Sequence, residues 1–164
     1  MILIDTSVYI SALTDQELEN VLSEASKKSL IMSSEVIDRE IKKAVNHLRA
    51  TNRKTDSEKL RELYDASIGG TIKLTDRVLS IADKYSDIVK EKFGKDKAKE
   101  MEDDLRIVAS ASIAGLKLIG TFNRKTMASD DIVEIYRNVN NSSKLKTPEF
   151  IKSKERLLEF FASS

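Results

Sequence analysis

Ile2-Leu3-Ile4-Asp5-Thr6-Ser7 opens the chain with three apolar residues that run straight into a carboxylate and two hydroxyls. The apolar run reads as a short buried strand, and the residues after it stand at its carboxyl end. In open α/β sheets that end is where ligands bind. Leu30-Ile31-Met32 is a second apolar run and Leu116–Thr121 a third, with helical periodicity between them. A helix is expected near Asp15–Lys28, with Leu18, Val21, Leu22 and Ala25 at helical spacing. Ser34 is a preferred N-cap for the next helix, whose stripe is Ile37, Ile41, Ala44, Val45 and Leu48. Strands alternating with helices imply a parallel sheet covered on both faces.

Residues 51–57 read as a polar connector, and Glu58–Ser67 as a helix that ends at Gly69-Gly70. Ile72–Leu74 fits either a short strand or an extended lead into a helix over Asp76–Glu91, capped by Thr75 and closed by Gly94. One helix is expected from about Asp96 to Ala114, with Gly115 just past its end. Asp130–Val139 reads as a helix, Lys144–Lys146 as a last short strand, and Thr147-Pro148-Glu149 as the start of a terminal helix.

The 164 residues suit a single domain spanning 1–164. Without cysteine there are no disulfides, thiolate metal sites or thiol nucleophiles, and the lone histidine, His47, cannot build a multi-histidine site. A metal would be held by oxygen, which suits Mg²⁺, Mn²⁺ or Ca²⁺. A net charge of +1 exerts no global pull on nucleic acid, although a balanced total is compatible with a locally basic groove. No apolar stretch approaches the roughly 20 residues of a membrane span, and the opening residues lack the pattern of a signal peptide. A soluble, cytoplasmic protein is expected.

Glu40 shares a helix face with Ile37, Ala44 and His47, and Asp104 with Ile107, Val108 and Ala111, whereas Asp103 is rotated toward Arg106 and Ser110. An acid on an apolar face is costly unless it is paired or binds a cation. Thr121-Phe122-Asn123 brings a hydroxyl and an amide to the same sheet edge as Asp5. Taken singly, each acid has a plain structural reading. Asp5 is a natural N-cap for a helix beginning near Ser7, and Glu40 can pair with Lys42 or Lys43. Together, three carboxylates and an amide from separate segments point to an oxygen cage for Mg²⁺ or Mn²⁺. Such ions activate water and stabilise the charge on a phosphodiester under attack.

These landmarks occur in an order that resembles PIN domains, in particular the VapC-type toxins. Ile-Leu-Ile-Asp-Thr-Ser at 2–7 is similar to the family's opening motif. Ser34 through Glu40-Ile41 resembles the second motif, whose glutamate follows the serine by six residues. Asp104-Leu-Arg-Ile107-Val-Ala109-Ser-Ala111 resembles the third, Thr121-Phe-Asn123-Arg-Lys the fourth region, and Lys146-Thr-Pro148-Glu-Phe the closing segment. Residues 49–100 are longer and more charged than the middle of a minimal toxin of this kind, Met127 stands where an aromatic residue is frequent, and Asn123 is a neutral fourth ligand. The resemblance implies a three-layer α/β/α PIN-like fold with a short parallel central sheet, and a Mg²⁺- or Mn²⁺-dependent endoribonuclease. It further implies a homodimer and an antitoxin partner. In this reading Asp5, Glu40 and Asp104 hold the metal and Asn123 supplements them. Thr6, Ser7, Asp103 and Thr121 support the site, and Arg124 and Lys125 contact substrate phosphates.

Two other classes compete. A phosphatase would use Asp5 as a covalent nucleophile, but Ser7 stands where such enzymes carry a second aspartate. A catalytically silent PIN-like module would keep the fold, bind RNA or a protein partner, and bind metal poorly. No Gly-x-Gly-x-x-Gly or P-loop pattern occurs among the five glycines, which argues against a nucleotide-binding Rossmann protein.

Overall fold

A computed structural model describes residues 1–28 and 30–164. Among these residues five strands form one all-parallel sheet: β1 (Ile2–Ile4), β2 (Ile31–Ser34), β3 (Ile68–Ile72), β4 (Leu118–Gly120) and β5 (Glu149–Ile151). Their order is β3-β2-β1-β4-β5. β1 lies at the centre with all three residues fully buried, which is why it reads as an unbroken apolar run.

Helices α1 (Thr6–Ala12) and α2 (Gln16–Ser26) link β1 to β2, and α3 (Glu35–Ala50) and α4 (Lys54–Ser67) link β2 to β3. The chain then crosses back through α5 (Asp76–Phe93), α6 (Lys95–Glu100) and α7 (Glu102–Ile113) to β4. α8 (Asp130–Ser142) leads to β5, and α9 (Lys154–Ala162) follows it. Right-handed crossovers place the outgoing and returning helices on opposite faces. The packing agrees, since α2 meets α1, α4 and α9 while α5 meets α6, α7 and α8. The three-layer α/β/α arrangement is therefore present. From β1 the chain goes to β2 on one side, and only much later to β4 on the other. The crevice between the carboxyl ends of β1 and β4 is thus the switch point at which such sheets bind ligands.

Local chemistry accounts for the element ends. The hydroxyls of Ser34 and Thr75 accept the backbone N–H groups of Ile37 and Val78 at 3.2 and 3.3 Å, capping α3 and α5 as their sequences predict. Gly94 (φ 93°) and Gly115 (φ 71°) stand just beyond α5 and α7 in the left-handed region. One continuous apolar cluster runs from Ile2 to Phe161. Among the described residues no helix is long and apolar enough to cross a membrane.

Five expectations require correction. α4 begins at Lys54, so the 51–57 connector shrinks to three residues. Gly69 and Gly70 lie inside β3 instead of terminating a helix, because a Cβ on Gly70 would sit 3.1 Å from Met32 Cε; the missing side chain lets β3 and β2 pair closely. The stretch Asp96–Ala114 is two helices that break at the fully buried Met101. Lys144–Lys146 is not a strand, since Lys144 has φ 58° and the strand comes later at Glu149–Ile151. The terminal helix accordingly starts at Lys154, capped by Ser153, and not at Thr147.

Candidate functional site

Asp5 leaves β1 at the N-cap position of α1, yet its side chain makes no capping hydrogen bond. The carboxylate turns across the switch point instead. Its Oδ2 accepts hydrogen bonds from Ser7 Oγ at 2.7 Å and from Thr121 Oγ1 at 2.9 Å. Those hydroxyls are themselves held from β4's side: Phe122 N–H donates to Ser7 Oγ, and Asn123 N–H to Thr121 Oγ1, both at 3.0 Å. Asp5 N–H also donates to the Gly120 carbonyl. Asp5 is only 5% exposed and fixed from two strands, so the plain capping role does not describe it.

Glu40 reaches the same edge from the second turn of α3, where its Oε1 accepts from Thr6 Oγ1 at 3.0 Å. Asp104, in the first turn of α7, accepts at Oδ2 from Asn123 Nδ2 at 3.2 Å and from Thr126 Oγ1 at 2.8 Å. Thr126 Oγ1 lies equally close, 2.7 Å, to Asn123 Oδ1. One hydroxyl hydrogen serves only one oxygen at a time, so Thr126 is shared between Asp104 and Asn123. Thr126 is the site residue that the sequence reading lacks. It follows Thr121 by five residues on an irregular loop, where no periodicity marks it.

The electrostatics agree with crowded negative charge. Burial, with Asp5's charge next, pushes Glu40 up to about 7 against the opposing Thr6 hydrogen bond; Asp103 and Asp104 add smaller contributions. Burial also raises Asp104 to about 6, opposed by Thr126 and assisted by the charges of Asp5 and Asp103. No lysine or arginine forms an ion pair with Asp5, Glu40 or Asp104 among the described residues, whereas Asp103 lies 4.0 Å from Arg39 on a half-exposed surface. Asp103 therefore belongs to the rim. Arg124 is exposed and its Nε donates to the Lys152 carbonyl at 2.9 Å, and Lys125 is exposed beside it. His47 is exposed on α3. Tyr136 is fully buried, and its hydroxyl has no partner among the described residues.

Among the described residues no three His, Cys, Asp or Glu side chains converge closely enough to hold a metal ion among themselves. The donor chemistry nevertheless fits a hard divalent cation: oxygen only, partly buried, and without a counter-charge. Mg²⁺ needs no closed carboxylate ring, because it keeps several waters and commonly takes one or two carboxylates. The chain matches no protein-family model, no curated protein and no solved structure.

Proposed function

We propose that this chain is a Mg²⁺- or Mn²⁺-dependent endoribonuclease with its site at the β1/β4 switch point. The observation that carries the reading is that Asp5, Glu40 and Asp104 lie along one sheet edge without a basic partner, near enough to feel one another's charge though not in a closed cluster, and a divalent cation would relieve that charge. When bound, the cation supplies charge neutralisation and an acidified water. Asp5 offers Oδ1, since Oδ2 is occupied by two hydroxyls, and is held rigid in doing so. Glu40 offers Oε2, the oxygen that Thr6 leaves unengaged, and titrates close enough to neutrality to hold or release a proton there. Asn123 and Thr126 orient Asp104 through its Oδ2. The hydrolysis needs no protein nucleophile.

The test is incubation of the purified protein with structured and unstructured RNA in Mg²⁺, Mn²⁺ or EDTA, alongside Asp5→Asn and Asp104→Asn. Cleavage that requires the metal and is lost in both variants is the expected result. Intact RNA in every lane, with no heat of metal binding by calorimetry, sinks the reading. One observation favours a second reading, a catalytically silent module that binds RNA or a protein: the acids do not close into a three-carboxylate cluster. That reading predicts RNA binding unaffected by EDTA. A homodimer and an antitoxin partner belong to the first reading as expectations, checked by sedimentation of the protein alone and with its neighbouring gene product.

A further inference from the structure

The long, charged stretch at 49–100 contributes nothing to the acidic site. Its last part builds a separate feature, a cleft of about 320 Å³ between α5, α6 and the first turns of α7. Lys90, Lys95, Lys99 and Arg106 line it against two acids, Asp83 and Glu102. Glu102 is occupied by Arg106 at 2.8 Å, while Lys90, Lys95 and Lys99 form no ion pair among the described residues. The protein as a whole is nearly neutral, so this concentration of unpaired cations on one concavity is local.

A second observation concerns shape and chemistry. Phe93 is 44% exposed, a large apolar side chain left in water at the end of α5. It follows Lys90 by three residues and so shares its helix face, one turn further on, immediately before Gly94 and Lys95. An exposed aromatic beside a row of cations is the combination that grips single-stranded nucleic acid, with the charges on the backbone and the ring against a base. An acidic peptide would use the cations but has no need of the ring.

The cleft and the acidic site flank the same turn of α7. Glu102 and Arg106 lie about 200° around the helix from Asp104, which puts the two features on opposite sides of a helix roughly 10 Å thick. That separation is a few nucleotides of an extended strand.

We propose that the α5–α6–α7 cleft, with Lys90, Lys95 and Lys99 on the phosphates and Phe93 against a base, is a subsite for single-stranded RNA beside the cleavage site. This inference deepens the nuclease reading and rests on it for the identity of the strand, but its test does not depend on catalysis. A fluorescently labelled single-stranded RNA is titrated with the protein in EDTA, over a series of salt concentrations, and followed by anisotropy. Lys95→Glu/Lys99→Glu is expected to weaken binding at least tenfold. The same variant should flatten the log–log salt slope by about 1.4, the loss of two phosphate contacts on a single strand. Phe93→Ala should weaken binding about fivefold or more without changing the slope. Lys117→Glu/Lys146→Glu, which alters the same net charge beyond the far end of α7, should have much less effect.

Unchanged affinity in Lys95→Glu/Lys99→Glu overturns the proposal, as does equal weakening by the distant pair, which would mean that only net charge is felt. Polyglutamate displacing the RNA stoichiometrically, with Phe93→Ala silent, would make the cleft a peptide dock and likewise overturn it. The two readings separate cleanly: RNA cut by the wild-type protein but bound equally by the cleft variant sinks only the subsite. RNA bound through the cleft but never cut supports the subsite and sinks the nuclease.

Discussion

Each carboxylate of the acidic site accepts a hydrogen bond from a serine or threonine hydroxyl of the same chain, and the consequences can be measured one side chain at a time. Glu40 and Asp104 have folded-state pKa values raised to about 7 and about 6, above their ordinary values. An acid raised on folding binds more protons folded than unfolded, so stability falls as pH rises from the unfolded to the folded value. Thermal melts of the metal-free protein should therefore show Tm dropping between about pH 4 and pH 7 and levelling off above. Glu40→Gln should flatten the upper part of that drop and raise Tm at pH 8, while weakening Mn²⁺ binding measured by calorimetry. A Tm that climbs steadily over this range would refute the crowding of charge. Thr126→Val removes a bond to Asp104 and should lower cleavage at least tenfold, with Thr126→Ser restoring it; equal activity in both variants would show that the hydroxyl plays no part. Tyr136→Phe deletes a buried hydroxyl that has no partner among the described residues, so it should be neutral or raise Tm by about 2–4 °C.

At the level of elements, the sheet tolerates little. A Cβ on Gly120 would meet Ile4 Cδ1 at 2.8 Å and Leu157 Cδ1 at 3.2 Å, both in the packed layer between β1, β4 and α9. Gly120→Ala should cost about 1–3 kcal/mol by overpacking, and because Thr121 follows directly, should also depress activity beyond the loss of stability. Urea denaturation with parallel cleavage assays checks both; unchanged stability would mean that the layer relaxes freely. The same tightness explains what could be read in advance. β1, β2, α2, α3 and α5 announce themselves through buried runs, helical stripes and caps such as Ser34 and Thr75. β3 does not, because Gly69-Gly70 looks like a helix terminator until the Met32 side chain against Gly70 is known. β5 begins on an exposed glutamate and so lacks the unbroken apolar run of β1, and Lys54-Thr55-Asp56 at the start of α4 is polar and without an apolar stripe. Asp5, Glu40, Asp104 and Asn123 stood out because they are polar residues at sheet edges or on apolar faces. Thr126's place beside Asp104 and the Arg124–Lys152 bond depend on how a loop folds back, which no local pattern encodes.

For the molecule as a whole, the proposed cation site would couple metal binding to global stability. A ligand at a hundred times its Kd that binds only the folded state adds about 2.7 kcal/mol. For a chain of this size that is a Tm rise of about 5–10 °C. Mn²⁺ should produce that rise at pH 8 and less at pH 5, below the raised values of Glu40 and Asp104; an equal rise at both pH values would place the ion elsewhere.

Asp5 and Thr121 are bonded across the sheet although 116 positions separate them along the chain. During synthesis Asp5 emerges 116 residues before Thr121, and the Thr126 loop follows later still. A nascent or truncated product ending before that point carries the first carboxylates without the strand that aligns them. The acidic site is therefore assembled late, only once β4 and the loop after it are in place.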